Sequence, residues 1–319
     1  MLYPILALLV GLVLLVWSAD RFVIGAAATA KNLGMSPMLI GLTIVSLGTS
    51  APEILVSLVA ATSGAGDLAI GNALGSNIAN IALVLGITAM IAPLPVKSGI
   101  LRKELPLLLG VILLAGILLF DMQLGRLDGL ILLAALGVCL FLFHRFQKST
   151  AGDELSLEEE DELPELETRL ALFWLIVGLT ILAGSSKMLV WGATEIALSL
   201  GVSKLVIGLT IVAIGTSLPE LAASIASALK GHHDIAIGNV VGSNIFNLLA
   251  VMAIPGLVSP IGMDSMVLQR DYMVMLGLTF ALMAFALWQK PPAISRLEGT
   301  ILAGAYAAYL CLIYTMTVA

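Results

Sequence analysis

Charged residues are scarce in this chain, since Asp, Glu, Lys and Arg together make up 11% of its 319 residues. Hydrophobic residues make up 60%, and the mean hydropathy is +1.08. A water-soluble fold of this length needs many more polar residues to cover its surface. The composition therefore excludes a soluble protein and predicts an integral membrane protein.

Cysteine and histidine are also rare, with two and three residues. Cys139 and Cys311 lie in apolar runs far apart in the sequence, so we expect no disulfide and interpret both as core residues. A basic segment is missing before the first apolar run, which we therefore expect to be retained rather than cleaved as a signal peptide.

The chain is rich in long apolar runs. A helix needs about 20 apolar residues to cross the hydrocarbon of a bilayer. Runs of that order lie near residues 2–20, 37–62, 68–94, 105–121, 127–146, 170–196, 203–229, 235–260, 271–289 and 297–318. The sequence predicts an all-α integral membrane fold with ten transmembrane helices, here numbered spans 1 to 10.

One stretch of the chain occurs twice. Residues 41–53 read GLTIVSLGTSAPE and residues 208–220 read GLTIVAIGTSLPE, so the offset is 167 residues. At the same offset, AIGNALGSNIAN begins at Ala69 and AIGNVVGSNIFN begins at Ala236. Each copy carries a glutamate, Glu53 or Glu220, inside an apolar run. A carboxylate at the centre of a membrane helix costs roughly 2.5 kcal/mol or more, so we interpret both acids as functional.

The repeat divides the chain into three parts. Residues 1–146 form the first repeat (spans 1–5), residues 147–169 a linker, and residues 170–319 the second repeat (spans 6–10). Nine acidic residues fall between Asp153 and Glu167, and we interpret this stretch as a solvated connector. Because each repeat has five spans, the second enters the membrane from the opposite face, which is the inverted architecture of many secondary transporters.

Lys and Arg are unevenly divided between the two faces that alternating spans create. Most lie on one face: Arg21, Lys31, Lys97, Arg102, Lys103, Arg145, Lys148, Arg169, Lys230, Lys290 and Arg296. The other face holds Arg126, Lys204 and Arg270, with Lys187 late in span 6. The positive-inside rule makes the first face cytoplasmic. We therefore expect a multi-pass protein of the cytoplasmic membrane with both termini outside and the acidic linker in the cytoplasm.

A proline precedes each glutamate. Pro52 and Pro219 lack the N–H that a helix needs, and their rings clash with the carbonyl four residues earlier, which predicts breaks near Gly48 and Gly215. A simple proline kink would leave the neighbouring Thr-Ser pair and glutamate unexplained. Unwound carbonyls at membrane depth can serve as cation ligands. We expect spans 2, 3, 7 and 8 to be broken around a central ion site.

Spacing brings further oxygen atoms to the same depth. Glu53 and Asn80 are 27 residues apart about a midpoint at Gly66, where the turn between spans 2 and 3 is expected. An antiparallel helix pair then places both side chains about 20 Å from that turn. Glu220 and Asn247 have the same spacing in the second repeat. Ser76 and Ser243 lie one helical turn before the two asparagines and can face the same site. The glycines of the second motif also allow close helix packing, which is an alternative reason for their presence.

The polar side chains around the predicted breaks are all oxygen donors. They are Glu53, Glu220, Thr49, Ser50, Thr216, Ser217, Asn80 and Asn247. Ca²⁺ accepts about six to eight oxygen ligands in flexible geometry. No histidine or cysteine lies at these positions, which disfavours zinc and copper. Two negative charges neutralise one Ca²⁺ or two monovalent ions, so exchange of Ca²⁺ for more than two Na⁺ would move net charge across the membrane.

The duplicated GTS-x-PE and GN-x-x-GSN motifs resemble the inverted alpha-repeats of the sodium/calcium exchanger family, within the calcium/cation antiporter superfamily, and are most similar to bacterial members with a short linker. The resemblance covers nearly the whole chain. It implies alternating access, with spans 1 and 6 sliding across a rigid core. It also implies that Glu53 and Glu220 are shared Ca²⁺ and Na⁺ ligands, assisted by Thr49, Ser50, Ser76, Asn80, Thr216, Ser217, Ser243, Asn247 and the backbone carbonyls of Ser46 and Ala213.

The same resemblance implies partners and cargo. Ca²⁺ and Na⁺ are transported ions rather than cofactors, and the surroundings are the lipid bilayer. We expect no cofactor, no nucleic acid and no obligatory protein partner. An aspartate replaces Asn247 in some relatives and is associated with K⁺ co-transport in the potassium-dependent branch, so Asn247 argues against K⁺ dependence.

Other functions stay open as alternatives. Proton/calcium exchangers of the superfamily carry Gly-Asn-x-x-Glu where this chain has Gly-Thr-Ser-x-Pro-Glu, which favours Na⁺ but leaves a Ca²⁺/H⁺ or other cation exchanger as the alternative. An intramembrane hydrolase needs an acid and a base in unlike surroundings, whereas the surroundings of Glu53 and Glu220 are duplicated. A channel is the third alternative, and saturable counterflow would argue against it.

Overall fold

A computed structural model describes residues 2–97, 99–150, 164–201 and 213–318, apart from the side chains of residues 147–150, 213, 317 and 318. Most of the predicted acidic linker and the first ten residues of predicted span 7, including Lys204, lie outside the described residues. The structure is helical almost throughout, as the apolar runs predict.

Twelve helices are described. They are α1 (Leu2–Leu33), α2 (Pro37–Thr49), α3 (Ala51–Thr62), α4 (Gly66–Ile91), α5 (Leu105–Leu118), α6 (Arg126–Thr150), α7 (Thr168–Ser199), α8 (Ala213–Thr216), α9 (Leu218–Leu229), α10 (His233–Val258), α11 (Val267–Trp288) and α12 (Arg296–Val318). Segments with π-helical hydrogen bonding are Gly41–Val45, Asn80–Leu85, Ile100–Glu104, Asn247–Val251 and Val267–Tyr272.

Length and composition identify the helices able to cross a membrane. Within the described part of the chain, seven are long and apolar enough, and the bent pair α2 and α3 can be counted as an eighth span. Helices α5 and α9 have 14 and 12 residues, and the residues just before α8 are outside the described ranges. The membrane-spanning helical class is confirmed, while the count of ten spans stays a prediction.

Helices α4 and α10 occupy the centre of the molecule. Their apolar windows are 72% and 83% buried, against 28% for α1 and α7 at the periphery. Small residues permit this packing. Gly242 has no side chain, and a Cβ added there would clash with the backbone oxygen of Leu42 in α2 at 2.6 Å. Close helix packing therefore accounts for Gly242, which is the alternative reason given above for the glycines of the second motif. The central position is what brings polar side chains of both repeats together.

The predicted breaks in spans 3 and 8 are absent from α4 and α10. Helix α4 is continuous, α10 is interrupted only by the single turn residue Met252, and both widen into π-helical turns that begin at Asn80 and Asn247. A proline breaks a helix because it removes a donor and adds a clash, and none lies within one turn of either asparagine. A π-helical turn is the milder deformation, and such turns often occur at functional sites.

Helix α1 is longer than predicted. Asp20 and Arg21 mark the end of the apolar run, yet the helix continues to Leu33. The two charges are accommodated, because Asp20 Oδ1 lies 2.6 Å from Lys230 Nζ and the Arg21 guanidinium lies 5.2 Å from the Trp174 ring centre. The prediction of a core position for Cys311 is also wrong, since that residue is exposed, whereas Cys139 is buried.

Two short antiparallel ribbons join the repeats. Strand β1 (Leu94–Pro95) pairs with β4 (Ala293–Ile294), and β2 (Gln123–Leu124) pairs with β3 (Ile261–Gly262). Each pair links a loop of the first repeat to a loop of the second. The alternation of spans predicts the same face of the membrane for the two loops of each pair.

Candidate cation-binding site

A single residue interrupts the helix in each repeat just before the glutamate. Ser50 lies between α2 and α3, which meet at 44°, and Ser217 lies between α8 and α9. The predicted breaks near Gly48 and Gly215 are therefore two residues too early. A proline is tolerated in the first turn of a helix, where no intrahelical partner for its nitrogen is needed, so each new helix starts one residue before its proline.

The carbonyls near the breaks have different surroundings. Ser46 O accepts the backbone N–H of the break residue at 2.9 Å and Thr49 Oγ1 at 3.4 Å. Ala213 is the first residue of α8. The carbonyl freed by the proline of the second repeat is that of Gly215, and it accepts Ser186 Oγ of α7 at 2.8 Å. The roles of Ser46 and Ala213 as ion ligands stay predictions.

Glu53 and Glu220 lie in the first turns of α3 and α9 and are each 1% exposed. Unpaired backbone N–H groups and the helix dipole favour a negative charge at such a position. The two carboxylates are near enough to interact electrostatically, and Ser50 Oγ donates to Glu220 Oε1 at 3.3 Å. Side chains from the two repeats thus form one buried cluster, and neither acid faces the lipid.

The hydroxyl groups of the Thr-Ser pairs differ between the repeats. Thr49 is fully buried, and its Oγ1 donates to Asn239 Oδ1 at 3.1 Å. Thr216, its counterpart, is half-buried and lines a cavity. Ser217 is buried like Ser50. The sequence repeats here, but the environment does not.

Asn80 and Asn247 are buried where α4 and α10 widen, at the first residues of their π-helical segments. Ser76 and Ser243, one turn earlier, are buried too. The turn between α3 and α4 lies at residues 63–65, next to the midpoint that the spacing predicts. Antiparallel packing of these two helices is therefore confirmed.

Many buried polar atoms of this cluster have no hydrogen-bond partner in the described part of the chain. They are Glu53 Oε2, Glu220 Oε2, Ser217 Oγ, Ser243 Oγ, and both amide atoms of Asn80 and of Asn247. A buried polar group without a partner costs about 1–3 kcal/mol, and most native proteins contain few such groups. Their concentration around two carboxylates fits a site built for a cation.

The donor set also limits the kind of cation. Among the residues that the structure describes, no three His, Cys, Asp or Glu side chains gather in the manner of a metal centre. The oxygens available are two carboxylates, hydroxyls and amides. This chemistry suits hard cations that accept many neutral oxygen ligands, such as Ca²⁺ and Na⁺.

Sequence reasoning missed a second pair of asparagines beside the glutamates. Asn72 of α4 and Asn239 of α10 hydrogen-bond the backbone oxygens of Glu53 and Glu220. The signal was present, because both occupy the Gly-Asn pair of the duplicated second motif. The motif contains several asparagines on different faces of the helix. Periodicity alone could not show which of these faces packs against the helix that carries the glutamate.

A cavity of about 400 Å³ reaches the cluster from one side. Residues of three helices line it: Pro52, Leu55, Val56, Ala183, Ser186, Lys187, Val190, Trp191, Thr194, Gly215 and Thr216. Thr216 and Pro52 adjoin the two breaks, so the cavity ends beside the cluster. It is large enough to admit water and small ions.

Helical architecture, a buried cluster of oxygen donors and a one-sided cavity define a membrane transporter for cations. The family model described as sodium/calcium exchanger protein matches residues 3–144 and 170–315. The chain therefore belongs to the sodium/calcium exchanger family, and this membership supports a cation/Ca²⁺ antiporter.

Individual relatives match over almost the full length. The inner membrane protein YrbG of Escherichia coli (strain K12) is 43% identical over 99% of this chain and 98% of its own length. The sodium/calcium exchanger MaX1 of Methanosarcina acetivorans is 32% identical over 97% and 98%. A solved structure of the sodium-calcium exchanger NCX_Mj is 33% identical, covers 97% of both chains and superimposes with a TM-score of 0.81.

Proposed function

We propose that this protein exchanges Na⁺ for Ca²⁺ across the cytoplasmic membrane by alternating access. The observation that carries the proposal is the cluster of buried oxygen atoms without partners around Glu53 and Glu220. The names of MaX1 and NCX_Mj, both described as sodium/calcium exchangers, support Na⁺ as the counter-ion.

In this proposal the two glutamates are ligands shared by Ca²⁺ and Na⁺. The neutral ligands are the hydroxyls, amides and carbonyls predicted from the motifs: Thr49, Ser50, Ser76, Asn80, Thr216, Ser217, Ser243, Asn247, Ser46 and Ala213. Burial of these groups supports the assignment, because a low-dielectric site strengthens the attraction between carboxylates and a cation. An empty site would leave two like charges buried together, so the loaded carrier is the form that switches sides at low cost.

The proposed architecture is ten spans in two inverted repeats, residues 1–146 and 170–319, joined by a cytoplasmic linker at residues 147–169. The two ribbons support it, because β1 with β4 and β2 with β3 join loops that the alternation of ten spans predicts on common faces. The name of YrbG, an inner membrane protein, supports location in the cytoplasmic membrane.

Helices α1 and α7 are the proposed moving pair. They pack on each other through backbone contacts, since a Cβ at Gly178 would lie 2.6 Å from the backbone nitrogen of Phe22. Against the rest of the protein they present apolar side chains, such as Leu179 against Gly48. Two polar contacts are added, between Asp20 and Lys230 and between Ser186 Oγ and the Gly215 carbonyl. Sliding of the pair as one body would break these two polar contacts and leave the backbone contacts between α1 and α7 intact.

Flux measurements in proteoliposomes test the proposal. An outward Na⁺ gradient is expected to drive uptake of radioactive Ca²⁺ by the wild-type protein, and Glu53→Gln or Glu220→Gln is expected to abolish it, because each removes half of the charge that binds Ca²⁺. Glu195→Gln, at an exposed carboxylate of α7, is the control and should transport normally.

Two results would contradict the proposal in different ways. Normal flux in either glutamate variant would remove the site assignment. Uptake driven by a pH gradient but not by a Na⁺ gradient would keep the site and identify a Ca²⁺/H⁺ exchanger instead. Uptake that never saturates with Ca²⁺ and shows no counterflow would indicate a channel.

A further inference from the structure

Asn72 lies on α4 and faces the first turn of α3. Its Nδ2 donates to the backbone oxygen of Glu53 at 3.2 Å and to Ser57 Oγ at 3.3 Å. The serine follows the glutamate by one helical turn. One amide therefore holds α3 at two points, immediately beside the carboxylate of the candidate site.

Asn239 repeats this arrangement on α10. Its Nδ2 donates to the backbone oxygen of Glu220 at 3.2 Å and to Ser224 Oγ at 2.9 Å. The same geometry thus arises twice from the same sequence offset. A contact that serves packing alone has no need to end on the backbone of the site acid in both repeats.

Asn239 has a third contact that joins the repeats. Its Oδ1 accepts Thr49 Oγ1 at 3.1 Å, and both residues are fully buried. A single side chain thus links α10 and α9 of the second repeat to α2 of the first. Asn72, its counterpart in the first repeat, is half-buried.

Two-point attachment has a mechanical consequence. A helix held at one point can still rotate about that point, whereas bonds to residues one turn apart fix both its rotation and its height. The backbone of each glutamate carries the carboxylate, so the amide determines where the carboxylate lies relative to the ligands on α4 and α10. Cation affinity depends steeply on such distances because ligand oxygens surround Ca²⁺ at about 2.3–2.6 Å.

We infer that Asn72 and Asn239 are positioning residues of the cation site, which hold the two acidic helices in register with their neighbours without being ligands themselves. This inference rests on the proposed function. It differs from a purely structural role because it predicts a change in cation affinity in protein that is fully folded.

Ca²⁺-dependent thermal unfolding of the purified full-length protein in detergent tests the inference. Asn72→Ala and Asn239→Ala are each expected to raise the Ca²⁺ concentration for half-maximal stabilisation about tenfold, the effect of losing one or two hydrogen bonds that hold the site. The effect of Asn239→Ala should be the larger, since Asn239 makes three contacts. In proteoliposomes the KM for Ca²⁺ should rise more than the maximum rate falls.

Asn77→Ala is the matched control. Asn77 is a buried asparagine of the same helix as Asn72, and its Nδ2 donates to Ala73 O within that helix. Its loss should lower stability and leave the half-maximal Ca²⁺ concentration unchanged. Should an alanine variant fail to fold, Ser57→Ala and Ser224→Ala remove one of the two attachment points each and should raise that concentration by a smaller factor.

Each other outcome has a definite meaning. An unchanged half-maximal concentration in folded variants of both asparagines, or of both serines, overturns the positioning role. A wild-type protein that Ca²⁺ does not stabilise overturns the proposed function. Titration of the same variants with Na⁺ then tests the positioning role, by the ratio of half-maximal Na⁺ concentrations between variant and wild type. No response of the wild-type protein to either cation overturns both.

Discussion

Asn80 and Asn247 bury complete amide groups that no described residue satisfies. Each such group destabilises the folded protein by about 1–3 kcal/mol relative to a satisfied or apolar one. A buried amide without a hydrogen-bond partner is expected where its oxygen coordinates a bound ion. At the residue scale, stability and function therefore make opposite demands at these two positions.

This opposition gives a prediction for Asn247→Leu. The substitution removes an unsatisfied amide at similar volume, so the ion-free protein should become more stable by about 1 kcal/mol or more. Stabilisation by Ca²⁺ should shrink, because one ligand oxygen is lost. Thermal unfolding in detergent, with a chelator and with saturating Ca²⁺, measures both effects.

Asn77→Leu provides the comparison, because its Nδ2 has a partner in Ala73 O and only its Oδ1 lacks one among the described residues. It should stabilise the ion-free protein less than Asn247→Leu does, and it should leave the response to Ca²⁺ unchanged. A loss of stability in ion-free Asn247→Leu, together with a normal Ca²⁺ response, would show that the amide is a packing group rather than a ligand.

At the scale of elements, glycines decide how closely α1 and α7 approach. Gly25 and Gly178 lie at crossing points where a Cβ would meet the backbone of the other helix. Gly184 lies on the same helix as Gly178, and no described atom comes within 4 Å of a Cβ placed there. The pair of helices is thus held by backbone proximity at a few points.

Gly178→Ala is expected to destabilise the protein by about 1–3 kcal/mol, since the added methyl group cannot displace the backbone of Phe22. Gly184→Ala should be neutral or stabilising by up to about 1 kcal/mol, because alanine favours helix. Melting temperatures of the two variants in detergent make the comparison. Equal effects would mean that the close contact of α1 with α7 does not contribute to stability.

At the scale of the whole molecule, two repeats of like sequence have unlike exposure. Val56 is half-buried and lines the cavity, whereas Ala223, at the same position of the second repeat, is fully buried. Pro52 and Pro219 differ in the same way. The cavity therefore exposes part of α3 in the first repeat and not its counterpart α9, and the proposed orientation predicts that it opens to the outside.

Cysteine labelling tests this asymmetry. In a background in which Cys139 and Cys311 are replaced by serine or alanine, Val56→Cys should react with a membrane-impermeant thiol reagent added to intact cells. Ala223→Cys should not react under the same conditions, because its side chain is buried. Labelling of Val56→Cys only in inside-out vesicles would reverse the orientation, and equal labelling at both positions would refute the one-sided cavity.

Much of the cluster could be predicted from the sequence. The duplicated motifs identified Glu53, Glu220 and their polar neighbours, and the spacing correctly predicted that α3 and α4 pack antiparallel. Local chemistry was sufficient, because a carboxylate next to a proline in an apolar run has few explanations. The positions of the breaks were missed by two residues, since a proline constrains the helix before it but is also a good start for the next one.

Composition, apolar runs and the duplicated motifs by themselves determined that this is a helical membrane protein with polar groups in the interior of its membrane helices, because lipid tolerates such groups only where they are shielded. Tertiary structure alone decided that Asn72 and Asn239 hold the acidic helices, and that a cavity lies beside Pro52 whereas Pro219 is buried. These features depend on which helix faces come into contact, and two repeats of the same sequence pattern can adopt different packing.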